Sequence, residues 1–362
     1  MRTLSIDGFK CFSQKTSFEI NDITLLTGAN STGKSSVIQS LLLSKIVSEA
    51  TALEDTNQLY INLNDKQFAL DLGHLSDIVN RDSNTDTIRI FIDNASFEFG
   101  YNNNENENSS IVNVSIDTNY KNELYQLFAA GFCYLSAERL GPRYEYEISS
   151  SDFCGCHGEK LGDVINKHAL DDGDDKRSLL PFNNRKWTIL LNEWIDYIFP
   201  GTTISIEQTG KQMYQIKEHK NVNTNVGFGI TYALPIIVSA LLIPKNGLLI
   251  IENPEAHLHA KAQSNMGYFI AQMAASGVQI IVETHSEHIV NGIRRFVVKQ
   301  DTSLSANQVS IYFFQKKNNT SYPLNISIDD WGNLSDFPAD FFDQVRQDMK
   351  EIMELGRSRK NT

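Results

Sequence analysis

Gly28-Ala29-Asn30-Ser31-Thr32-Gly33-Lys34-Ser35 places two glycines, a lysine and a hydroxyl at the spacing of a phosphate-binding loop. The glycines let successive backbone N–H groups wrap an anion, Lys34 reaches the β and γ phosphates of a nucleotide, and the Ser35 hydroxyl can ligate Mg²⁺. Ser36 falls in the first turn of the helix that follows, whose N-terminus faces the anion. Three further clusters could do chemistry. The apolar run Gly247–Ile251 ends in Glu252-Asn253-Pro254-Glu255, and Val278–Val282 ends in Glu283-Thr284-His285-Ser286. An apolar strand ending in carboxylates is where a phosphate-loop protein holds Mg²⁺ and orients water. Glu252 takes the metal-side position together with Ser35, and Asn253 stands where a general base is common. Glu255 is then the nearest carboxylate able to act as base. His285 could hydrogen-bond a γ phosphate or the attacking water. The fourth cluster, Asn225-Val226-Gly227-Phe228-Gly229-Ile230-Thr231, sets two glycines before an apolar helix, a second anion-binding device.

The elements that must position these residues can be read from periodicity. A strand over Thr3–Phe9, an apolar run at Ile23–Leu26 and a helical pattern through Ser48, with Val37, Ile38, Leu41, Leu42 and Ile46 on one side, give strand, loop and helix in the order the phosphate loop requires. After residue 220 the rhythm is helix Gly227–Leu242, strand Gly247–Ile251, helix Ala260–Ala275, strand Val278–Val282, helix Glu287–Val297 and strand Val309–Phe314. Such alternation predicts a mainly parallel sheet. Between these halves the texture changes to antiparallel-looking strands over Thr87–Phe99 and Ile111–Ile116, split by the polar tract 102–110, with a helix over Lys186–Phe199. Its Trp187, Leu190, Leu191, Trp194, Ile195 and Ile198 recur at helical spacing, as a core-facing stripe does. The expected organisation is a discontinuous core of 1–49 and 221–315, an inserted α+β arm of 50–220, and a tail of 316–362.

Composition narrows the class. The chain has 362 residues, 41% apolar and 21% charged, as in folded globular proteins. With 32 Lys+Arg against 44 Asp+Glu the net charge is −12, so no global field draws it to nucleic acid or to an anionic membrane. The longest apolar stretch, Ile230–Pro244, carries Thr231, Pro235 and Ser239 and falls short of the roughly 18 residues of a membrane span. Four cysteines are too few for a disulfide framework, and the N-terminus lacks a signal-peptide pattern; a cytoplasmic location is expected.

In chain order the four clusters resemble the ATP-binding head of the ABC superfamily, and more closely the SMC-like and OLD-like ATPases. GANSTGKS matches Walker A, NVGFGIT the signature motif, LLIIENPEAHLH Walker B with its following loop, and ETHS the switch histidine. YLSAERLGPR (134–143) and DWGNLSDFPADFFDQ (330–344) are similar to a group of small bacterial ATPases that carry a C-terminal domain of unknown function and are often encoded in anti-phage defence loci. The resemblance implies a mixed, mainly parallel sheet with an antiparallel portion, and two heads sandwiching two ATPs with Mg²⁺. In that arrangement Asn225, Gly227, Gly229 and Thr231 would touch the γ phosphate held by the other subunit. It implies a homodimer or higher homo-oligomer and a protein effector such as a nuclease. Asn253 leaves two outcomes open, a slow ATPase or an ATP-stabilised scaffold. A compact DNA clamp is a further alternative.

Other clusters point to less. His257-x-His259, His285-x-x-His288 and Cys154-Gly-Cys156-His157 do not by spacing assemble a four-ligand zinc set. The basic residues Arg294, Arg295 and Lys299, Lys316 and Lys317, and Arg357, Arg359 and Lys360 read as solvated surface. The roughly sixty residues beyond the ATPase core are too few for the TOPRIM nuclease domain that OLD proteins append, and Asp329-Asp330 is not its Asp-x-Asp motif.

Overall fold

The computed structural model describes residues 2–53, 56–83, 85–101, 109–117, 121–143, 145–147, 152–179, 186–209, 213–218, 221–222, 228–299, 303–317 and 320–360. Five apolar segments of the sequence become a parallel layer. Its strands lie side by side in the order Val309–Lys317, Ile23–Gly28, Gln279–Glu283, Leu248–Glu252 and Phe132–Leu135. Thr320–Ile326 adds a sixth strand as an antiparallel hairpin on Val309–Lys317. The inner strands are continuous apolar runs because both faces are covered. Alternate residues divide accordingly. Ile23, Leu25, Leu249, Ile251, Ile280 and Val282 enter a core with Trp194 and Phe269. Leu26, Leu248, Ile250, Ile281 and Phe314 enter a second core with Val37 and Leu41 of the helix Lys34–Leu53.

The second core is closed by an antiparallel sheet of six strands, in the order Thr16–Ile20, Arg2–Asp7, Ile88–Ile92, Ala95–Gly100, Ile111–Ile116 and Gln58–Asn62. The segment read from alternation as one strand over 87–99 is a hairpin. Asp93 takes φ +52° in the tight connection, a left-handed conformation that aspartate tolerates. A smaller sheet joins Ile204–Gln208, Met213–Glu218 and Asn221–Val222, with Tyr146–Glu147 on the middle strand. The helices Ala260–Ala275 and Glu287–Val297 fall where the periodicity places them, and all six stripe residues of Trp187–Ile198 are buried.

Three segments cross the boundaries drawn from composition. Phe132–Leu135, from the expected arm, is an edge strand of the central sheet; the arm's antiparallel strands extend the sheet begun by Arg2–Asp7; and Thr320–Ile326, from the expected tail, is the opposite edge strand of the central sheet. Local composition reports burial and turn chemistry but not which strand pairs with which, so it cannot place a short strand such as Phe132–Leu135. Among the described residues no helix is long and apolar enough to cross a membrane.

Two glycines set the approach of the helices Ala260–Ala275 and Glu287–Val297. A Cβ at Gly292 would stand 2.1 Å from the Ser264 carbonyl oxygen and 3.0 Å from the Gly267 Cα, and one at Gly267 would stand 2.2 Å from the Ile289 carbonyl oxygen. The helices therefore touch backbone to backbone. Gly292→Ala should destabilise the fold by about 1–3 kcal/mol, the cost of overpacking. Gly356→Ala, in an exposed helix with no atom within 4 Å of the new Cβ, should be neutral or stabilising. Thermal melts of both variants check the pair.

Candidate functional site

The parallel registers bring three motif ends together. Glu252 pairs with Glu283, and Glu283 with Leu26 two residues before Gly28, so the phosphate loop and both carboxylate clusters share the carboxyl edge of the sheet. That edge is where open α/β sheets bind ligands.

The loop turns through left-handed backbone at Gly28 (φ +129°), Ser31 (φ +59°) and Gly33 (φ +113°). Side chains are excluded at both glycines, since a Cβ would stand 2.5 Å from the Phe314 carbonyl oxygen at Gly28 and 2.6 Å from Cys11 Sγ at Gly33. Thr32 Oγ1 closes the loop by donating to the Ala29 carbonyl at 2.8 Å. Lys34, 3% exposed, folds back and donates to the carbonyls of Gly28 and Ala29 at 3.0 and 2.7 Å. Burial lowers its pKa from the ordinary lysine value, an effect that Glu283 and then Glu255 oppose. Ala29, Asn30, Ser31 and Ser35 are exposed, and Ser36 is buried.

The carboxylate that meets the Ser35 hydroxyl is Glu283. Ser35 Oγ donates to its Oε2 at 3.0 Å and Oε1 at 3.2 Å, and Lys34 Nζ lies 3.9 Å from Oε1. Glu283 is 7% exposed; burial first, and the neighbouring Glu252 second, push its pKa up to about 7 against the pull of Lys34. Glu252, expected beside Ser35, is held elsewhere. Its Oε1 accepts from the Tyr134 hydroxyl at 3.1 Å and its Oε2 from the Ala137 amide at 3.0 Å, with its pKa raised by burial. The difference follows from sheet order, because the Glu283 strand lies between the Glu252 strand and the phosphate-loop strand. Glu283 lies in the ETHS motif, and the sequence marks it only as a carboxylate ending an apolar strand; that this strand is the neighbour of the loop strand is visible only in the sheet order.

Asn253 begins a sharp turn at φ +45°, where asparagine is tolerated. Its amide donates to the Glu283 carbonyl at 2.8 Å. The turn is locked by Arg139 of YLSAERLGPR, a residue the sequence reading left without a role. Arg139 is 3% exposed and donates to the carbonyls of Glu252 (2.6 Å), Asn253 (2.7 Å), Ser136 (2.8 Å) and Tyr232 (3.0 Å). Burial pushes its pKa down to about 10, which leaves it charged at neutral pH. Both oxygens of Glu255 are engaged, Oε2 by the Thr284 hydroxyl at 2.8 Å and Oε1 by the His285 amide at 2.6 Å. His285 is exposed and shares a cleft with Thr27, Gly28 and Ala29. Burial of its ring, then Lys34, hold its pKa below the ordinary histidine value, so the imidazole is neutral at neutral pH.

Of the expected signature residues, Asn225 and Gly227 lie outside the described residues. Gly229 is partly buried against the turn after Glu255; a Cβ there would stand 2.8 Å from the His257 carbonyl oxygen. Thr231 is only 1% exposed within the apolar helix Phe228–Leu242 and presents no surface to a second subunit in this conformation. The C-terminal segment enters the site instead. Phe341 packs on Phe313 of the central sheet, and Asp340, Phe342 and Asp343 line the cleft that holds Gly28 and His285.

Two buried hydroxyl and amide oxygens at this edge, Thr27 Oγ1 and Asn253 Oδ1, have no hydrogen-bond partner among the described residues. Three carboxylates, Glu252, Glu255 and Glu283, face the cations Lys34 and Arg139, and oxygen donors of this kind suit Mg²⁺. A cleft of about 960 Å³, lined by Ala29–Thr32 on one side and by Phe313–Lys316, Tyr322 and Leu324 on the other, adjoins the loop. These residues fit a phosphate with its divalent cation. Among the described residues no group of three or more histidine, cysteine or acidic side chains is arranged to hold a metal ion. Cys154 and Cys156 are buried and unpaired. Arg294, Arg295 and Lys299 donate to the Gly332 carbonyl, the Ser264 hydroxyl and the Tyr268 hydroxyl.

Residues 23–291 match the family described as "AAA domain, putative AbiEii toxin, Type IV TA system". The chain belongs to this AAA-domain family. Residues 304–352 match a second family, "Protein of unknown function (DUF3696)", which includes the segment beside His285. No curated protein matches the chain. Among solved structures, the AAA chain is similar to the Smc head domain with an extended coiled coil bound to the C-terminal domain of ScpA, derived from Pyrococcus furiosus, at 11% identity and a TM-score of 0.50, covering 98% of this chain and 100% of that one. The SMC head domain from Thermotoga maritima is 11% identical over 90% of this chain and 98% of that one, with a TM-score of 0.47. An SmcHead bound to the C-winged helix domain of ScpA is 12% identical over 90% and 97%, with a TM-score of 0.48. At these identities the likeness is one of fold, and the fold is that of an SMC-like P-loop ATPase head.

Arg139→Met removes four bonds to backbone carbonyls of the site. It should lower stability by on the order of 3 kcal/mol, since the freed carbonyls stay buried. Urea unfolding of the variant beside wild type measures the loss.

Proposed function

We propose that this AAA-domain chain is an ATP-binding switch that hydrolyses ATP, closes as a homodimer or higher homo-oligomer around the nucleotide, and signals its state to a protein effector. The observation that carries the reading is the convergence of Lys34, Ser35, Glu283, Glu252, Glu255 and His285 on one sheet edge beside a left-handed phosphate loop. In this reading Lys34 leaves the Gly28 and Ala29 carbonyls for the β and γ phosphates, and the loop amides of residues 29–36 wrap them. Mg²⁺ would supply positive charge to the phosphate oxygens from beside Ser35. The cleft along Phe313–Lys316 is of a size to take the nucleoside. Hydrolysis breaks the bond between the γ phosphorus and the bridging oxygen, water forms the new bond, and Glu255 takes its proton once Thr284 releases it. His285, neutral, reports on the γ phosphate.

Closure would bring Asn225, Gly227 and Gly229 of one copy to the nucleotide of the other. Thr231 would need the start of its helix to move first. The Smc head derived from Pyrococcus furiosus is bound to the C-terminal domain of ScpA, which supports a protein partner for this chain as well; an effector such as a nuclease, in anti-phage defence, is the form proposed. Four unpaired thiols support a cytoplasmic setting.

A second reading, an ATP-stabilised scaffold without turnover, is favoured by two observations. Asn253 cannot take a proton, and both oxygens of Glu255 are already bonded. ATP turnover and solution mass, measured together for wild type and Lys34→Ala with and without Mg²⁺ and duplex DNA, separate the readings. Turnover with ATP-dependent self-association, both lost in Lys34→Ala, is the expected outcome. Tight ATP binding with assembly but no turnover would establish the scaffold, and duplex-dependent stimulation would bring back the DNA clamp.

A further inference from the structure

We propose that the C-terminal segment Pro338–Asp343 is an autoinhibitory strap, which in this conformation closes the γ-phosphate side of the site and lifts when a nucleoside triphosphate is bound. The inference rests on the phosphate-site reading above and adds a regulator to it.

The strap lies where a third phosphate has to go. Asp340, Phe342 and Asp343 line a cleft of about 270 Å³ together with Gly28 and Ala29 of the loop and His285. Thr27, whose buried Oγ1 has no partner among the described residues, borders the same cleft. Phe342 also lines the adjoining cleft that holds Glu255 and Ser286, so one residue borders both the loop and the carboxylate proposed as base. In the closed pair of heads proposed above, this is the face from which Gly227 and Gly229 of the other copy approach. Strap and second copy therefore compete for one space.

Charge gives that competition its direction. The strap brings two carboxylates, Asp340 exposed and Asp343 half-buried, to a cleft that must take the most negative part of ATP. Like charges repel more strongly beside protein than in bulk water, and ADP, one phosphate shorter, meets less of this repulsion.

Anchorage and strain make the strap reversible. Phe341 is 1% exposed and packs edge-on against Phe313 with ring centroids 5.0 Å apart. The next residue on that strand is Phe314, whose carbonyl oxygen a Cβ on Gly28 would meet at 2.5 Å, so the anchor stands beside the loop. On either side of the anchor the backbone is left-handed, Asp340 at φ +67° and Phe342 at φ +54°. Aspartate tolerates this conformation, whereas an aromatic residue adopts it at a cost that its contacts offset and that is recovered when the strap lifts. The helix Gln344–Lys360 follows directly, so lifting the strap moves that helix with it. The strap lies within the residues matched by the second family.

Calorimetric titration of the full chain in Mg²⁺, with ADP and with a non-hydrolysable ATP analogue, reads the strap without turnover. A strap open in about one molecule in ten lowers the apparent affinity about tenfold, so Phe341→Ala, which removes the anchor, should bind the analogue up to about tenfold more tightly than wild type. Asp340→Asn combined with Asp343→Asn should tighten it about three- to tenfold, and both variants should change ADP affinity less. A segment that merely supports the site would give the opposite sign, weaker binding. Hydrogen exchange read by mass spectrometry should show the amides of 339–345 exchanging faster in wild type with the analogue than with ADP. The proposal is overturned if the analogue protects these amides or leaves them unchanged, or if either folded variant binds the analogue no more tightly than wild type. Wild type that binds neither nucleotide would instead overturn the phosphate-site reading and this inference with it. Circular dichroism melts identify a Phe341→Ala chain that has not folded, and the aspartate variant and wild-type exchange then carry the test.

Discussion

Because the strand Gln279–Glu283 pairs in parallel with Leu248–Glu252 on one side and Ile23–Gly28 on the other, in registers that set Glu252 beside Glu283 and Glu283 beside Leu26, the phosphate loop and both carboxylate clusters emerge from the same edge of one sheet. The pairing is held by two cores, one on each face, so it cannot slip by a residue without exchanging the two sets of side chains between them. Almost everything else in the chain covers this layer. The helix Lys34–Leu53 and the antiparallel sheet close one face, and the helices Phe228–Leu242, Ala260–Ala275 and Glu287–Val297 close the other.

The electrostatics of the edge follow from that convergence. Three carboxylates come together with two buried cations, and each carboxylate resolves the crowding differently. Glu252 is stabilised by a hydroxyl and an amide, Glu255 by a hydroxyl and an amide of the switch segment, and Glu283 by the loop itself. Arg139 is the structural cation. It binds four carbonyls and thereby fixes the left-handed turn at Asn253, which aims the chain from the Glu252 strand toward Glu255. Lys34 rests on carbonyls of its own loop.

The parts outside the two motif-rich regions are not appendages. Tyr134 and Ala137, which hold Glu252, and Arg139 come from the segment after Phe132–Leu135, and Phe342 with two aspartates reaches the cleft from the C-terminal region. A change in the arm or in the C-terminal segment is therefore felt within one or two contacts of the phosphate loop.

The sequence by itself determined the phosphate loop, the strand–helix alternation that makes the sheet parallel, and the polar ends of two apolar strands, because each is a local pattern with a local cause: glycine for left-handed turns, period 3.6 for a half-buried helix, continuous apolar runs for strands covered on both faces. The motifs also carried the resemblance to SMC-like heads, which the fold bears out. Tertiary structure alone decided which carboxylate meets Ser35, since that depends on strand order, and the chain gives no local sign that the Glu283 strand lies between the other two. It alone decided that Arg139 clamps a turn more than a hundred residues further on, that Thr231 faces inward, and that Phe132–Leu135 and Thr320–Ile326 are central-sheet strands. Pairing between distant segments is selected by the closure of the whole core, and no stretch of sequence read in isolation contains it.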